Sequence, residues 1–357
     1  MTAMQGTRRG LFGILTLAAL TAAIACSEPA PESTPSPAAH LVERARPSMG
    51  TELRLSAWTA DESTAISAFD EVFSEFDRLE SLMSNWIEDS DVSRLNVAAG
   101  ERPVPVSAEV RDVLHIAHDV SEWTNGTFDI TFGALAGLWK FDYQNKDDTI
   151  PPAAEVRKRL PLIDYQALDV DDEAGTAFVK KKGVTVNLGG IGKGYAIDRG
   201  VAILRRRGVR DFMIQAGGDL YVGGMRGDRP WRLSIRDPRG PAYRSFAAIE
   251  LSNATFSTSG DYERFFMKDG RRYHHIMDVR TGEPAQGCRS VTLVSERAVL
   301  ADALAKGVFV LGPTAGMELI ERLPNVEGVI VSAKNEVLIS SGLKDQLTML
   351  APPTDAP

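Results

Sequence analysis

Thr185 to Asp198 reads TVNLGGIGKGYAID, with glycines at 189, 190, 192 and 194 around a single lysine, Lys193. A strand that passes through a glycine-rich turn into a helix presents backbone N–H groups and the positive end of a helix dipole, an arrangement suited to an anion. Glycines let the backbone approach a ligand closely, and a lysine adds a point charge for phosphate. An ordinary tight turn with a surface lysine uses the same residues. A Walker A loop is excluded, because its spacing and the Ser/Thr after its lysine are both missing.

A second concentration of chemistry lies in Thr255 to Gly282, TFSTSGDYERFFMKDGRRYHHIMDVRTG. His274, His275, Asp278, Arg280 and Thr281 crowd together there, and a histidine three residues before an aspartate can be oriented by it as a general base or metal ligand. Lys268 to Arg272 reads as a solvated hairpin turn, whereas His275 and Asp278 bracket apolar Ile276 and Met277 and so turn partly inward. His115 and His118 also have metal-compatible spacing, but they fall off the apolar stripe of their helix and no carboxylate or cysteine pattern supports them. They are expected at the solvated surface.

The elements that must position these groups follow from periodicity. Glu52 to Trp58 alternates as a half-buried strand; from Asp61, apolar residues recur at three and four through Trp86, giving a helix of about six turns. Trp86 falls at its fraying end, where an aromatic ring can face a ligand. A second helix is expected from Ser107 to Trp123 with Gly126 just past its end, followed by NGTFDITFGALAGLWKF, a mix of small and aromatic residues. A short helix at Pro151–Leu160, a strand at Lys180–Asn187, and a helix from Tyr195 to Gly208 come next. DFMIQAGGDLYVGG reads as a strand broken by a glycine pair, which permits a bulge or a close ligand approach. Later strands are expected at Trp231–Arg236, Ala247–Leu251 and Val291–Ser295, then helices from Arg297 and after Pro313, and a closing hairpin over Val329–Ile339. Helices and strands mix without a regular βα repeat, so the fold class is α+β with an extensive, largely antiparallel sheet and flanking helices.

Composition is that of ordinary globular material, 43% hydrophobic and 25% charged over 357 residues. The N-terminus differs. Arg8 and Arg9 precede an apolar run ending in AAIAC at Cys26, which describes an export signal too short to span a membrane. A cysteine at the cut resembles the lipobox of bacterial lipoproteins, and TRRGLF faintly resembles a twin-arginine signal. The expected organisation is a signal over 1–25, a Pro/Ser-rich tether over 26–40 and one domain over 41–350, anchored in the cell envelope by lipid on Cys26 and facing the periplasm. Removing 1–25 takes two arginines and no acid, so the net charge goes from −8 to −10, which argues against a nucleic-acid partner. Cys288 is then the remaining thiol if Cys26 is acylated, leaving no internal disulfide.

Taken together, the blocks are similar to those of the ApbE-type FAD:protein FMN transferase family, a T-fold-related α+β family. MGT at Met49, LESLMSNW…DSDVSRLN, GTFDITFGALAGLW, NLGGIGKGYAID, AGGD at Ala216, STSGDYER, HHIMDVRTG and ADALAKGVFVLG occur in the family's order. The resemblance implies covalent flavin attachment: a Thr or Ser hydroxyl of a target flavoprotein, expected to be part of a redox or electron-transport complex, attacks the FMN phosphorus of FAD and AMP leaves. It implies that Met49, Trp86, Gly126, Thr127, Phe128, Asn187, Lys193 and Met277 hold the flavin nucleotide. It gives His275 and Asp278 the proton handling, and Gly190 with Asp302 a Mg²⁺ ion. The family pattern also departs here: the usual second metal ligand, a Thr four residues after the Asp, is Lys306, a usual Asp is Asn187, and a usual Pro is Val279. A protonated ammonium cannot coordinate Mg²⁺ and pairs with Asp302 instead. Three readings therefore stand: transferase, FAD pyrophosphatase giving FMN and AMP, and non-catalytic FAD-binding lipoprotein.

Overall fold

Alternating apolar residues build the centre of the molecule. In the computed structural model, which describes residues 38–141 and 149–356, eight strands form one sheet: β1 His40–Ser48, β2 Thr51–Thr59, β3 Phe212–Ala216, β4 Asp219–Gly223, β5 Ala254–Gly260, β6 Cys288–Ser295, β7 Val326–Ser332 and β8 Val337–Ile339. They are ordered in space as in the chain, and every neighbouring pair is antiparallel. The expected α+β class with a largely antiparallel sheet is what forms. Arg8 to Cys26 and the residues of the tether up to 37 lie outside the described residues, as do residues 142–148.

One face of the sheet is covered by helices. The helices are α1 Glu62–Met83, α2 Asp91–Val97, α3 Ala108–Trp123, α4 Ala153–Arg159, α5 Gly192–Arg206, α6 Ala298–Leu311 and α7 Pro313–Arg322, of which α1, α5, α6 and α7 pack on the sheet. Phe69, Val72, Phe76 and Leu79 of α1 recur at helical spacing and are fully buried with Ile197, Leu204 and Phe309 in the main core. Asp61 caps α1 by accepting from the Thr64 N–H, and Ser107 caps α3 through the Val110 N–H. Helix α6 is buried on nearly all sides, which fits its apolar sequence and its place between the sheet and α3, α5 and α7. The opposite sheet face carries a smaller core under a three-stranded sheet of Trp231–Arg236, Ser245–Leu251 and Thr348–Met349. Because both faces are covered, all five residues of β4 are buried, including its one acid, Asp219.

Two expectations are corrected. Lys180–Asn187 is not a strand; the regular strand is Thr176–Val179, and the following stretch is held by a single bridge from Thr185 to Phe132. Side-chain amides stand in for a neighbouring strand: Asn96 accepts from the Val186 N–H at 2.7 Å and donates to the Val186 carbonyl at 2.9 Å, and Asn85 donates to the same carbonyl at 2.6 Å. The glycine pair at 217–218 is not a bulge but the two-residue turn between β3 and β4, with Gly217 at φ 64° and Ala216 opposite Asp219.

Candidate active site

Antiparallel strands in chain order send alternate connections to opposite ends. The β1–β2 turn at Met49–Gly50, the β3–β4 turn at Gly217–Gly218 and the long excursion between β5 and β6 therefore gather at one end of the sheet. That excursion carries His275 and Asp278. Arg264 within it reaches the Gly50 carbonyl at 3.4 Å, and its own carbonyl accepts the His275 N–H at 3.1 Å, so the first hairpin and the histidine loop are tied together.

Lys193 enters from the first turn of α5, directly after the glycine turn. Its ammonium lies 3.1 Å from Asp219 on β4 and 3.8 Å from Asp302 on α6. Asp302 has no solvent exposure; its Oδ2 accepts the Gly194 backbone N–H at 2.9 Å, and its Oδ1 is ion-paired to Lys306 one helical turn later. Asp219 also accepts from the Ser257 hydroxyl, which follows from the register: Ser257 of β5 stands directly opposite Asp219 on the helix-covered face. Burial alone raises an aspartate's pKa, but the Lys193 and Lys306 charges and the Ser257 hydrogen bond outweigh it and hold Asp219 below its usual range. For Lys193, burial opposes the charge, and Asp302 and Asp219 overcome it, so the lysine stays protonated. Two ammonium groups thus face two carboxylates, and their formal charges cancel.

His275 borders this cluster. His275 is solvent-exposed at its surface, yet local desolvation, then the neighbouring His274, Arg264 and Lys306 charges, push its pKa down and favour the neutral imidazole. Its Nδ1 makes a long contact of 3.4 Å to the Arg264 carbonyl. A carbonyl can only accept, so Nδ1 carries the proton and Nε2 keeps its lone pair. Asp278 does not orient this ring. Its carboxylate holds Arg280 in a fork at 2.9 and 2.8 Å and accepts the Arg280 N–H at 3.0 Å, closing the turn after Met277–Asp278. His274 is structural: it is buried, its Nε2 lies 2.7 Å from the Ala285 carbonyl, and its ring packs edge-on to Phe309.

The other expected contact residues lie on several elements: Asn187 and Phe128 at the glycine turn, Met49 in the β1–β2 turn and Met277 in the histidine loop. Trp86 is 97% exposed, on the loop whose Asn85 is tied to Val186, so its whole indole is offered beside the turn. Met49 has φ 47°, a conformation a methionine rarely adopts, and is held by a hydrogen bond from its N–H to Glu80 at 3.0 Å. Asn187 accepts the Gly189 N–H at 2.8 Å and shapes the turn, and Phe128 lies beneath Gly190. The Thr127 hydroxyl is spent on the Thr124 and Gly307 carbonyls at 2.9 and 3.0 Å and so pins this loop to α6, while Gly126, at φ 75°, closes the end of α3 by donating its N–H to the Ser121 carbonyl at 2.7 Å. His115 pairs with Asp172 at 2.9 Å and His118 packs edge-on to Tyr165, at a distance from the cluster in sequence and in partners.

Sequence reading passed over Asp219, Ser257 and Arg264. For Asp219 there was a signal: an acid inside the apolar strand DLYVG must find a cation, and Lys193, half-buried, is the lysine that meets it. Arg264 carried none, since its backbone carbonyl does the positioning.

Comparison with known proteins points one way. The family model described as "ApbE family" matches residues 49–330. A protein of Klebsiella pneumoniae (strain 342) named FAD:protein FMN transferase is 32% identical over 276 residues, 76% of this chain and 79% of that protein. One of the same name from Salmonella typhimurium is 31% identical over 86% of this chain and 88% of its own length. The crystal structure of the ApbE protein of Thermotoga maritima superposes with a TM-score of 0.78 at 31% identity, covering 86% of this chain and 99% of that one. The flavin transferase ApbE of Vibrio cholerae gives 0.77 at 27% identity, with the same two coverages. The glycine turn, the lysine–aspartate cluster and the histidine loop all fall inside the matched span, and the chain belongs to the ApbE family.

Proposed function

We propose that this chain transfers the FMN moiety of FAD to a Ser or Thr hydroxyl of a target flavoprotein and releases AMP. The relatives that match most of its length carry that activity in their names. The observation that carries the reading in this chain is the Lys193–Asp219–Asp302–Lys306 cluster at the start of α5, its two aspartates buried and its two lysines half-buried, with His275 beside it.

The chemistry is a phosphoryl-type transfer, in which a protein mainly positions and neutralises charge. The glycine turn and the N-terminus of α5 would take the diphosphate, with Lys193 held in place by its two aspartates. Trp86 would stack on a flat ring, and Met49 and Met277 would flank the nucleotide. The target hydroxyl oxygen bonds to the FMN phosphorus, the bond from that phosphorus to the bridging oxygen breaks, and AMP leaves with that oxygen. The hydroxyl proton passes to Nε2 of His275. Asp278 acts at one remove, by fixing the loop that carries His275 through its fork to Arg280.

The N-terminal sequence supports a location. Arg8–Arg9, the apolar run, Cys26 and the Pro/Ser-rich stretch after it favour an exported lipoprotein tethered at the periplasmic face, acting on a flavoprotein of a redox or electron-transport complex. No helix among the described residues is long and apolar enough to cross a membrane, so the attachment rests on that segment.

Incubation of the purified protein with FAD and a candidate target, followed by in-gel flavin fluorescence after denaturation, tests the activity. A fluorescent target band is expected. FMN and AMP without a labelled target indicate hydrolysis by water instead, and tight FAD binding with neither product indicates a flavin-holding protein.

A further inference from the structure

We infer that Lys306 is a resident cation that keeps divalent metal out of this site and, with Lys193, supplies the positive charge that a phosphorylated ligand meets. The inference deepens the flavin-transfer reading and takes its ligand from it. The residues present do not fit a Mg²⁺ ion. Asp302 is fully buried with both oxygens engaged, Oδ1 by the Lys306 ammonium and Oδ2 by the Gly194 N–H at 2.9 Å. Asp219, the other carboxylate, is engaged by Lys193 at 3.1 Å and by Ser257. A protonated ammonium has no lone pair and cannot become a ligand. Among the described residues no group of three or more His, Cys, Asp and Glu side chains is arranged to hold a metal.

Charge balance leads to the same place. Two lysines already match two aspartates, so a divalent ion entering the cluster adds two uncompensated positive charges to a buried site. The placement of Lys306 is not accidental to a flexible loop: i, i+4 spacing on the rigid, buried α6 sets it beside Asp302. Lys193 and Lys306 keep 21% and 24% of their side-chain surface exposed, whereas Asp302 has none and Asp219 has 5%, so the cluster turns its cations toward a ligand and its anions inward.

The test uses Mn²⁺ as a paramagnetic stand-in for Mg²⁺, titrated into the purified full chain without flavin and read by the loss of the free-ion signal. The wild-type protein and Lys306→Arg are expected to take up no Mn²⁺, and Lys306→Thr, which frees Asp302 and supplies a hydroxyl, to take up one ion. In a second arm, FAD affinity is read from flavin fluorescence in EDTA and in Mg²⁺. Wild-type affinity is expected to agree between the two buffers, while that of Lys306→Thr rises by about tenfold or more with Mg²⁺. Stoichiometric Mn²⁺ uptake by the wild type, or a wild-type FAD affinity that rises about tenfold with Mg²⁺, overturns the inference. If Lys306→Thr does not fold, the wild-type and Lys306→Arg titrations still decide it. Absence of FAD binding in every buffer overturns the flavin-transfer reading instead, and the Mn²⁺ arm continues to judge Lys306.

Discussion

Asp302 on α6 accepts the backbone N–H of Gly194 on α5 at 2.9 Å. The exchange is mutual: Asp198 of α5 accepts the N–H groups of Ala298 and Val299 at the start of α6, at 2.7 and 3.1 Å. Neither helix has a side-chain cap of its own. Each therefore satisfies the orphan donors of the other, and the proposed phosphate cradle at the start of α5 depends on the two helices staying in register.

Gly194→Ala is expected to break that register. A Cβ at 194 would sit 2.4 Å from the Ala298 carbonyl oxygen and 2.7 Å from the Val299 Cα, both backbone atoms that cannot swing aside. Overpacking of this kind costs about 1–3 kcal/mol. A lowered melting temperature should come with weaker FAD binding, because the same shift pulls Asp302 from the Gly194 N–H. Unchanged stability with unchanged FAD affinity would show that α6 moves freely.

Asp198→Ala removes two capping bonds from a buried helix start and is expected to cost about 1–2 kcal/mol in urea unfolding. Asp198→Asn retains one acceptor oxygen and should lose less. Equal losses in the two variants would mean that charge at the helix terminus, rather than hydrogen bonding, supplies the stability.

Much of this arrangement was legible in residue spacing, and the exceptions share a cause. Phe69, Val72, Phe76 and Leu79 announce α1, and Asp61 and Ser107 announce helix starts, because those signals are local. The alternation of Val184, Val186 and Leu188 imitates a strand, yet the hydrogen-bond partners of Val186 are side chains about ninety and a hundred residues away. The lysine of the glycine turn was plain in the sequence, whereas its pairing with Asp219 depends on a strand and a helix meeting in space. His275 and Asp278 look like a mutually orienting pair, but Arg280, two residues from Asp278, takes the carboxylate first.

The pH dependence follows from the two histidines. Burial holds His274 neutral and sets most of the stability effect; His275 is also shifted below the ordinary 6.5, but it is solvent-exposed, so water screens its share. The unfolded chain therefore binds more protons than the folded one below about pH 6.5, and stability rises with pH across that acidic window. For one proton the limiting slope is about 1.4 kcal/mol per pH unit. His274→Gln should flatten the pH dependence of urea unfolding. In the proposed reaction His275 accepts the proton in its neutral form, so the acid limb of transfer activity is expected below pH 6.5; a limb at or above 6.5 would assign the base to another group.

Lys193 and Asp219 test whether the cluster acts as one unit. Removing Lys193 alone, as Lys193→Met, leaves two buried carboxylates facing Lys306, and breaking a buried pair in this way typically costs about 3–5 kcal/mol. The partial exposure of the Lys193 side chain places the expected loss toward the lower end. Asp219→Asn alone leaves Lys193 with Asp302 at 3.8 Å and keeps a hydrogen-bond partner for Ser257, so it should be milder. In the double variant the orphaned charge at 219 is gone, and stability should recover part of what Lys193→Met lost. Urea unfolding of all four proteins gives the coupling directly. Additive losses would mean that Lys193 and Asp219 contribute independently, and that the neutral four-residue cluster is not what holds the start of α5 in place.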